Sequence, residues 1–368
     1  MSGSLKIPFF GIDRQYAAIR EEILDVTDSV YSSGHVLDDI QTKNFESVLA
    51  KMTERRHAVA VNSGTQALTF ALRCVDFYSI YHNDKVLIPT QSFAATLNSV
   101  VEAGFEPVFC DVDPVTGLLD INRIPVEPNE LAAVVYVNLF GNIIDYDKLM
   151  TYKEYWNTHN IPIVEDAAQS FGAYYRGVPS GKLGDISCLS FDPTKNLNNY
   201  GSGGMVLTDD IDYAEIVRSY RNNGKAHDHA VSGTNSRMSE ADCAQMLIKL
   251  KYFDQWQARR RLIAEYYTSE LDGYVDLIPV DSRVEHAWSK FVIHHRARSE
   301  IKQHLREYGV EARVHYEYPL HLLDAAGPQG IYEGAEEFST TCLSLPIYPE
   351  LTDSEVEYIV DRVREYTF

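Results

Sequence analysis

Hydrophobic and polar positions follow two alternating periods through the first two-thirds of the chain. Ile19, Ile23 and Val26 recur at helical spacing within residues 15–30, and the same texture resumes over 45–52. The run HAVAVNSG then ends in turn residues, and a helical pattern follows over 65–75. KVLIP, a helix near 95–103 and PVFCDV repeat the unit. LAAVVYVNLFG, a helix near 146–157, IPIVEDAA, ISCLSFD and GGMVLTD continue it. Short Val- and Ile-rich runs between helices predict an α/β fold with a mostly parallel sheet sandwiched by helices. From about residue 244 the texture changes. One long helix is predicted over 245–271, carrying Leu247, Leu250, Phe253, Trp256 and Leu262. Strand-like HAWSKFVIHH and VEARVHY follow, with a helix over 300–307 between them and another near the end. The expectation is a large domain over 1–245 and a smaller C-terminal α+β domain over 246–368.

The length of 368 residues suits two domains, at roughly 150 residues each. Hydrophobic residues make up 45% and charged residues 23%, which excludes disordered and collagenous chains. The net charge of −20 repels nucleic acid and anionic membrane, so neither is an expected partner. It leaves room only for a local cationic pocket. Five cysteines, an odd number without any CxxC pair, argue against a disulfide framework and a zinc site. The opening MSGSLKIPFFGIDRQY lacks the apolar core of a signal peptide, and no segment approaches the ~20 apolar residues of a membrane span. A cytoplasmic protein is expected. His227 and His229, in KAHDHA, read as part of a loop lining a cleft rather than as metal ligands.

Ligands of parallel sheets bind beyond the carboxyl ends of the strands. That rule puts SGT after HAVAVN, Asp166 after IPIVE, and residues 190–195 after ISCL on one rim. Gly64 and Thr65 open a helix, where free amides and the helix dipole favour a phosphate. An ordinary N-cap would use the same residues. Asp166 is a carboxylate beside a buried strand and needs a partner, whether a metal, an arginine or a protonated ring nitrogen. Lys195, in SFDPTKNLNNYGSGG, is either a solvated loop lysine or an amine that forms a Schiff base when desolvated. A phosphate seat, a carboxylate and a Schiff-base lysine in this order meet the needs of pyridoxal 5'-phosphate, whose ring nitrogen must stay protonated. Ser190 is placed to donate to the phosphate and Phe93 to stack on the ring. Gln169 is placed to meet the other face or the ring hydroxyl.

From IPFFGIDRQY onward the chain resembles the sugar aminotransferases of the DegT/DnrJ/EryC1/StrS family, which are fold type I pyridoxal phosphate enzymes. The resemblance runs through NSGTQAL, PTQSFAAT, GFEPVFCDVDPVTG, VEDAAQSFGAYYRG and GDISCLSFDPTKNL. It continues through GTNSRMSEADCAQ, HAWSKFVI, VHYEYPLH and LSLPIYPELTDSEV. It implies Lys195 as the cofactor-bearing lysine, Asp166 on the pyridine nitrogen, and Gln169 and Phe93 against the ring. It also implies Gly64, Thr65 and Ser190 on the phosphate, with Asn235 reaching that phosphate from the other subunit of a homodimer. The implied reaction moves an amino group from an amino acid donor, by default L-glutamate, to a keto-sugar. The default acceptor is nucleotide-linked, made for a cell-surface polysaccharide or a glycosylated metabolite. Arg221, Arg237, Arg313 and His315 are the candidate anion contacts, and Tyr316 is a candidate for the sugar pocket.

Three positions depart from the family pattern: Asp38 where Gly is common, Asp192 where an aromatic or His is common, and Ser202 where Asp or Glu is common. None of these is expected to touch the cofactor residues; all three bear on the sugar pocket. Related readings stay open at this point. They are a free keto-sugar acid or an inosose as acceptor, a fold type I aminotransferase acting on amino acids, and a non-catalytic cofactor-binding regulator. A sugar dehydratase on the same scaffold is disfavoured, because those relatives replace the lysine with histidine.

Overall fold

A computed structural model of the chain describes residues 6–78, 83–127, 130–157, 161–327 and 330–367. At its centre lies a seven-stranded sheet in the order His57–Val61, Gly204–Thr208, Ile186–Ser190, Ile163–Asp166, Leu131–Val137, Lys85–Pro89, Glu106–Cys110. Gly204–Thr208 runs antiparallel to both its neighbours, and the remaining pairings are parallel. Every residue of Leu131–Val137 is buried, as a strand covered on both faces requires. Val59, Phe70, Leu72, Val86, Val135 and Val206 belong to the apolar cluster on one face. Leu87, Val134, Tyr136 and Ile163 face the cluster on the other. The alternation along each strand therefore places neighbours on opposite sides.

The predicted sheet strands and their crossover helices are present, with boundaries shifted by a few residues. Two expectations in the C-terminal third need correction. The helix expected over 245–271 is two helices, Glu240–Leu250 and Phe253–Leu271, broken at Lys251 and Tyr252. The break serves two cores. Cys243 and Met246 of the first helix pack with Phe45, Phe191 and Leu207. Ile263, Tyr267 and Leu271 of the second pack with Ile293, Ile301 and Leu343. One straight helix cannot present its stripe to both. The second correction concerns VEARVHY, which forms no strand but single bridges, Val310 with Ile7 and Arg313 with Ser344. Past Arg313 the chain turns away so that His315 and Tyr316 reach the site described below. HAWSKFVIHH is strand only at Phe291–His294, because Ala287 N and Ser289 N donate to Gly141 O and Phe140 O instead (both 2.9 Å).

The strand Phe291–His294 pairs antiparallel with Asp276–Leu277 and Cys342–Leu345. Helices Arg298–Glu307 and Asp353–Thr367 contribute Ile301, Leu305, Ile359 and Val363 to the cluster around this small sheet, and Ile7 joins it from the start of the chain. Among the described residues no helix is long and apolar enough to cross a membrane. All five cysteines are buried and free.

Candidate active site

Three parallel strands end at the same edge of the sheet, and the residues that follow them meet. Beyond His57–Val61 the chain enters helix Gly64–Tyr78, whose first amides face a cavity of about 320 Å³. Gly64 is required by proximity rather than by a turn. A Cβ there would lie 2.6 Å from Ser190 Cβ and 3.0 Å from its Oγ. Ser190, the last residue of its strand, thus closes on the helix terminus, and Thr65 lines the same wall.

Asp166 ends Ile163–Asp166 and is buried. Alternation points Glu165 the other way, where its carboxylate is saturated by Asn138 Nδ2, Ser180 Oγ, Ser187 Oγ and the amides of Gly181 and Leu183 (2.7–3.1 Å). Asp166 accepts only from Thr96 Oγ1 (3.1 Å) and Ala168 N (3.1 Å), and no cation lies within ion-pair distance among the described residues. Burial accordingly pushes its carboxyl above the ordinary value, opposed by the Ala168 amide and the charge of Lys195. A cationic ring nitrogen would supply the missing partner.

Lys195 follows Ile186–Ser190 in a tight turn, closed by Lys195 N donating to Asp192 O (2.9 Å). Asp192 Oδ1 accepts from Thr194 N (3.0 Å) and Thr194 Oγ1 (2.6 Å) and braces the loop. The amine lines the cavity with no side-chain hydrogen bond among the described residues. Desolvation moves it below the usual lysine range, while Asp166 and Asp192 oppose the shift. The shift favours the neutral amine, the form that attacks a carbonyl.

The remaining candidates divide sharply. Gln169 is buried, takes the Phe140 amide on Oε1 (3.0 Å) and donates from Nε2 to the Tyr316 hydroxyl (3.1 Å). Phe93 is 55% exposed and its ring lies 5.8 Å from that of Tyr316. Arg313 and His315 also line the cavity. Arg313 pairs with Glu311 (2.5 Å), and its guanidinium lies 5.0 Å from the Phe10 ring. The His315 imidazole, buried beside Lys290 and Arg313, is pushed down to about 2 and stays neutral; its Nδ1 meets Ser344 Oγ at 2.8 Å.

Arg221, Asn235 and Arg237 lie outside the cavity of their own chain. Arg221 is buried and held by Glu46 (2.6 Å) and Ala60 O (2.7 Å). Arg237 pairs with Asp38 (3.2 Å) and donates to the exposed Asn235 (3.1 Å). The segment around His229 folds back on itself, His229 Nδ1 to Asn223 O at 2.8 Å, and none of its described side chains lines the cavity. The His227 side chain lies outside the described residues.

The structure corrects one expectation and adds one residue that sequence reasoning missed. Asp192, expected to stay clear of the cofactor residues, sits in the wall; its amide donates to Ser190 Oγ (3.4 Å) and its charge bears on Lys195. Ser202 lines the cavity too, whereas Asp38 is engaged with Arg237. Lys290, inside the quoted HAWSKFVI, is buried in the same wall. Neither its periodicity nor its neighbours marked it, because a single lysine in a strand-like run reads as an outward-facing residue.

The donor set fits pyridoxal phosphate. Gly64, Thr65 and Ser190 form an anion cradle that a Cβ would fill, the buried Asp166 carboxylate lacks a cation, and Lys195 provides a desolvated amine.

Comparison with known proteins bears on the same point. The model described as the DegT/DnrJ/EryC1/StrS aminotransferase family matches residues 17–364. A dTDP-3-amino-3,4,6-trideoxy-alpha-D-glucose transaminase from Streptomyces venezuelae is 35% identical over 372 residues, covering 98% of this chain and 96% of its own. A protein from Geobacillus stearothermophilus named as a pleiotropic regulatory protein is 32% identical over 373 residues, covering 98% and 99%. The crystal structure of S. venezuelae DesV in complex with a ketimine intermediate superposes with a TM-score of 0.91 at 34% identity, covering 98% of each chain.

Proposed function

This chain belongs to the DegT/DnrJ/EryC1/StrS aminotransferase family, and from that premise we propose that it transfers an amino group from L-glutamate to a nucleotide-linked keto-sugar. The enzymatic class is that of the family, a pyridoxal phosphate-dependent aminotransferase. One observation carries the assignment of residues: Lys195, Asp166 and the Gly64–Ser190 contact converge on a single cavity.

Bound there, pyridoxal phosphate supplies the electron sink for the carbon that loses or gains the amino group. Gly64, Thr65 and Ser190 hold the phosphate at the helix terminus. Asp166 keeps a proton on the ring nitrogen, its own charge stabilised in return. Gln169, fixed by Phe140 N and the Tyr316 hydroxyl, orients the ring from one side, and Phe93 covers the other. Lys195 anchors the cofactor covalently. Freed from that bond, its Nζ would be the base that takes the proton from the donor Cα and the acid that gives it back in the following transfer. In the second half of the reaction it carries a proton the opposite way, onto the sugar carbon that receives the amine. The low proton affinity that burial gives this amine suits both transfers.

The active unit in this proposal is a homodimer in the cytoplasm. Asn235 and Arg237 stand together at the surface of their own chain, outside its cavity, and a partner copy would bring them to the neighbouring site. An intact lysine at position 195 favours amino transfer over dehydration, and the reactive set favours an enzyme over a purely regulatory protein.

The test is a two-step half-reaction. L-Glutamate added to the holoenzyme should abolish the visible absorbance of the lysine-bound cofactor, and one member of a panel of nucleotide-linked keto-sugars should restore it. Restoration by a free keto-acid sugar or an inosose alone would replace the acceptor assignment. No change with any amino donor would overturn the aminotransferase assignment.

A further inference from the structure

Lys290 is 6% exposed, yet its side chain lines the same cavity as Lys195 and Asp166. Among the described residues its Nζ donates only to two main-chain carbonyls, Ser289 O (3.1 Å) and Thr194 O (3.4 Å). No carboxylate of the described residues stands within ion-pair distance of it. The other cations in this region are accounted for. Arg313 is paired with Glu311, and Lys195 is committed to the cofactor in the function proposed above; Arg260 is also held by two main-chain carbonyls, Trp288 O and Ile347 O, but it does not line the cavity. Among the described residues, Asp192 is the carboxylate whose charge favours the ammonium, and its Oδ1 is spent on Thr194. Beyond the two carbonyls, Nζ faces only the Phe10 ring at 5.1 Å and the Phe9 ring at 6.0 Å among the described residues, so its ammonium form is costly until an anion compensates it. Burial, Lys195 and Arg260 all disfavour its charged form while Asp192 favours it, so an arriving carboxylate would tip the balance towards the ammonium.

We propose that Lys290 is the carboxylate seat of the cavity, binding the carboxylate of the amino acid donor or of an acidic sugar by a charge-assisted hydrogen bond. Its place in the fold supports this. The Phe140–Gly141 loop holds residues 287–289 out of the sheet by main-chain hydrogen bonds, and that bend lets the next side chain turn toward Lys195 rather than toward solvent. The Thr194 carbonyl, immediately before Lys195, ties the two amines to one loop. Lys290 does not enter the proton transfers; it sets where the reacting carbon lies. The inference rests on the aminotransferase reading.

The experiment uses the holoenzyme with two unreactive probes, glutarate for the donor and D-glucuronate for a sugar acid, against chloride at equal ionic strength. Calorimetry gives their affinities for the wild type, Lys290→Met and Lys290→Arg. The glutarate dissociation constant should rise about 10-fold to 100-fold in Lys290→Met and recover to within a few-fold in Lys290→Arg. The same pattern with glucuronate alone would keep the seat and assign it to the acceptor. Equal affinity of glutarate for wild type and Lys290→Met, or no binding of either probe to the wild type, would overturn the proposal. Lys290→Met replaces a buried amine without a counterion by an apolar chain of similar length, so it should melt no lower than the wild type. Lys290→Gln, which keeps a donor for the two carbonyls, carries the same affinity test if methionine is not accepted. Bleaching of the cofactor absorbance by L-glutamate in the wild type reports the aminotransferase activity separately, so the two ideas fail independently.

Discussion

Replacing Gly64 by alanine tests the phosphate cradle through a single methyl group. The new Cβ would meet Ser190 Cβ at 2.6 Å, Oγ at 3.0 Å and Cα at 3.2 Å, whereas ordinary contact begins at 3.4 Å. Ser190 or the helix terminus must then retreat by about 0.8 Å. Neither has free room: Ser190 is paired in the sheet with Gly204, and the helix packs Ala67, Phe70 and Ala71 in the core. Overpacking of this kind costs about 1–3 kcal/mol. The helical preference of alanine over glycine returns at most about 1 kcal/mol. A net loss of about 1–2 kcal/mol should lower the melting temperature of the apoenzyme by roughly 1–3 °C.

Cofactor affinity should suffer more, because the same displacement moves the free amides and the Ser190 hydroxyl off the phosphate. A weakening of about 10-fold to 100-fold is expected from charged hydrogen bonds of roughly 1.5–3 kcal/mol. Titration of pyridoxal phosphate, followed by its visible absorbance, measures this directly. Gly64→Ala/Ser190→Gly removes the clashing Cβ and Oγ, so the melting temperature should return while the affinity does not, the hydroxyl being gone. Wild-type cofactor affinity in Gly64→Ala would show that the phosphate sits elsewhere and would refute the cradle.

Lys195→Ala should retain the fold but show neither turnover nor the absorbance of lysine-bound cofactor; steady-state activity in this variant would remove Lys195 from the mechanism. Asp166→Asn should lower turnover by about 100-fold or more, since a neutral amide cannot hold a proton on the ring nitrogen. It should melt no lower than the wild type, because the raised proton affinity of Asp166 marks an uncompensated buried charge; a large drop in melting temperature would contradict that. Asp209, held by Lys182 (2.6 Å), Arg55 (3.0 Å) and the Arg56 amide (2.9 Å), is depressed to about 2. Its contribution to stability is therefore complete above the unfolded-state value of about 3.9 and is lost as pH falls toward 2. Urea melts should show Asp209→Asn less stable than wild type at pH 7, with the gap closing between pH 4 and pH 2. A pH-independent gap would mean that the carboxylate is not the source.

The order of strands and helices was legible in the chain because buried parallel strands must be continuous apolar runs, and helices that cover them must carry one apolar stripe. The rim was legible too. Gly64, Asp166 and Lys195 each follow such a run, and parallel strands deliver their ends to a common edge. Distances across that edge were not. The contact of Gly64 with Ser190, the bond from Gln169 to Tyr316, and the exclusion of Arg221 join residues more than 100 positions apart, which no local pattern encodes. The break at Lys251 and the bend at residues 287–289 escaped for a related reason. Both occur inside periodic stretches whose local preference continues, and only competition between two packed cores, or a main-chain partner from a distant loop, interrupts them. Composition and periodicity determined the scaffold and which side chains would stand near its rim. Tertiary packing alone decided which of them share one desolvated cavity, and so which ionise, because burial and the distance between charges are properties of the folded surface rather than of spacing along the chain.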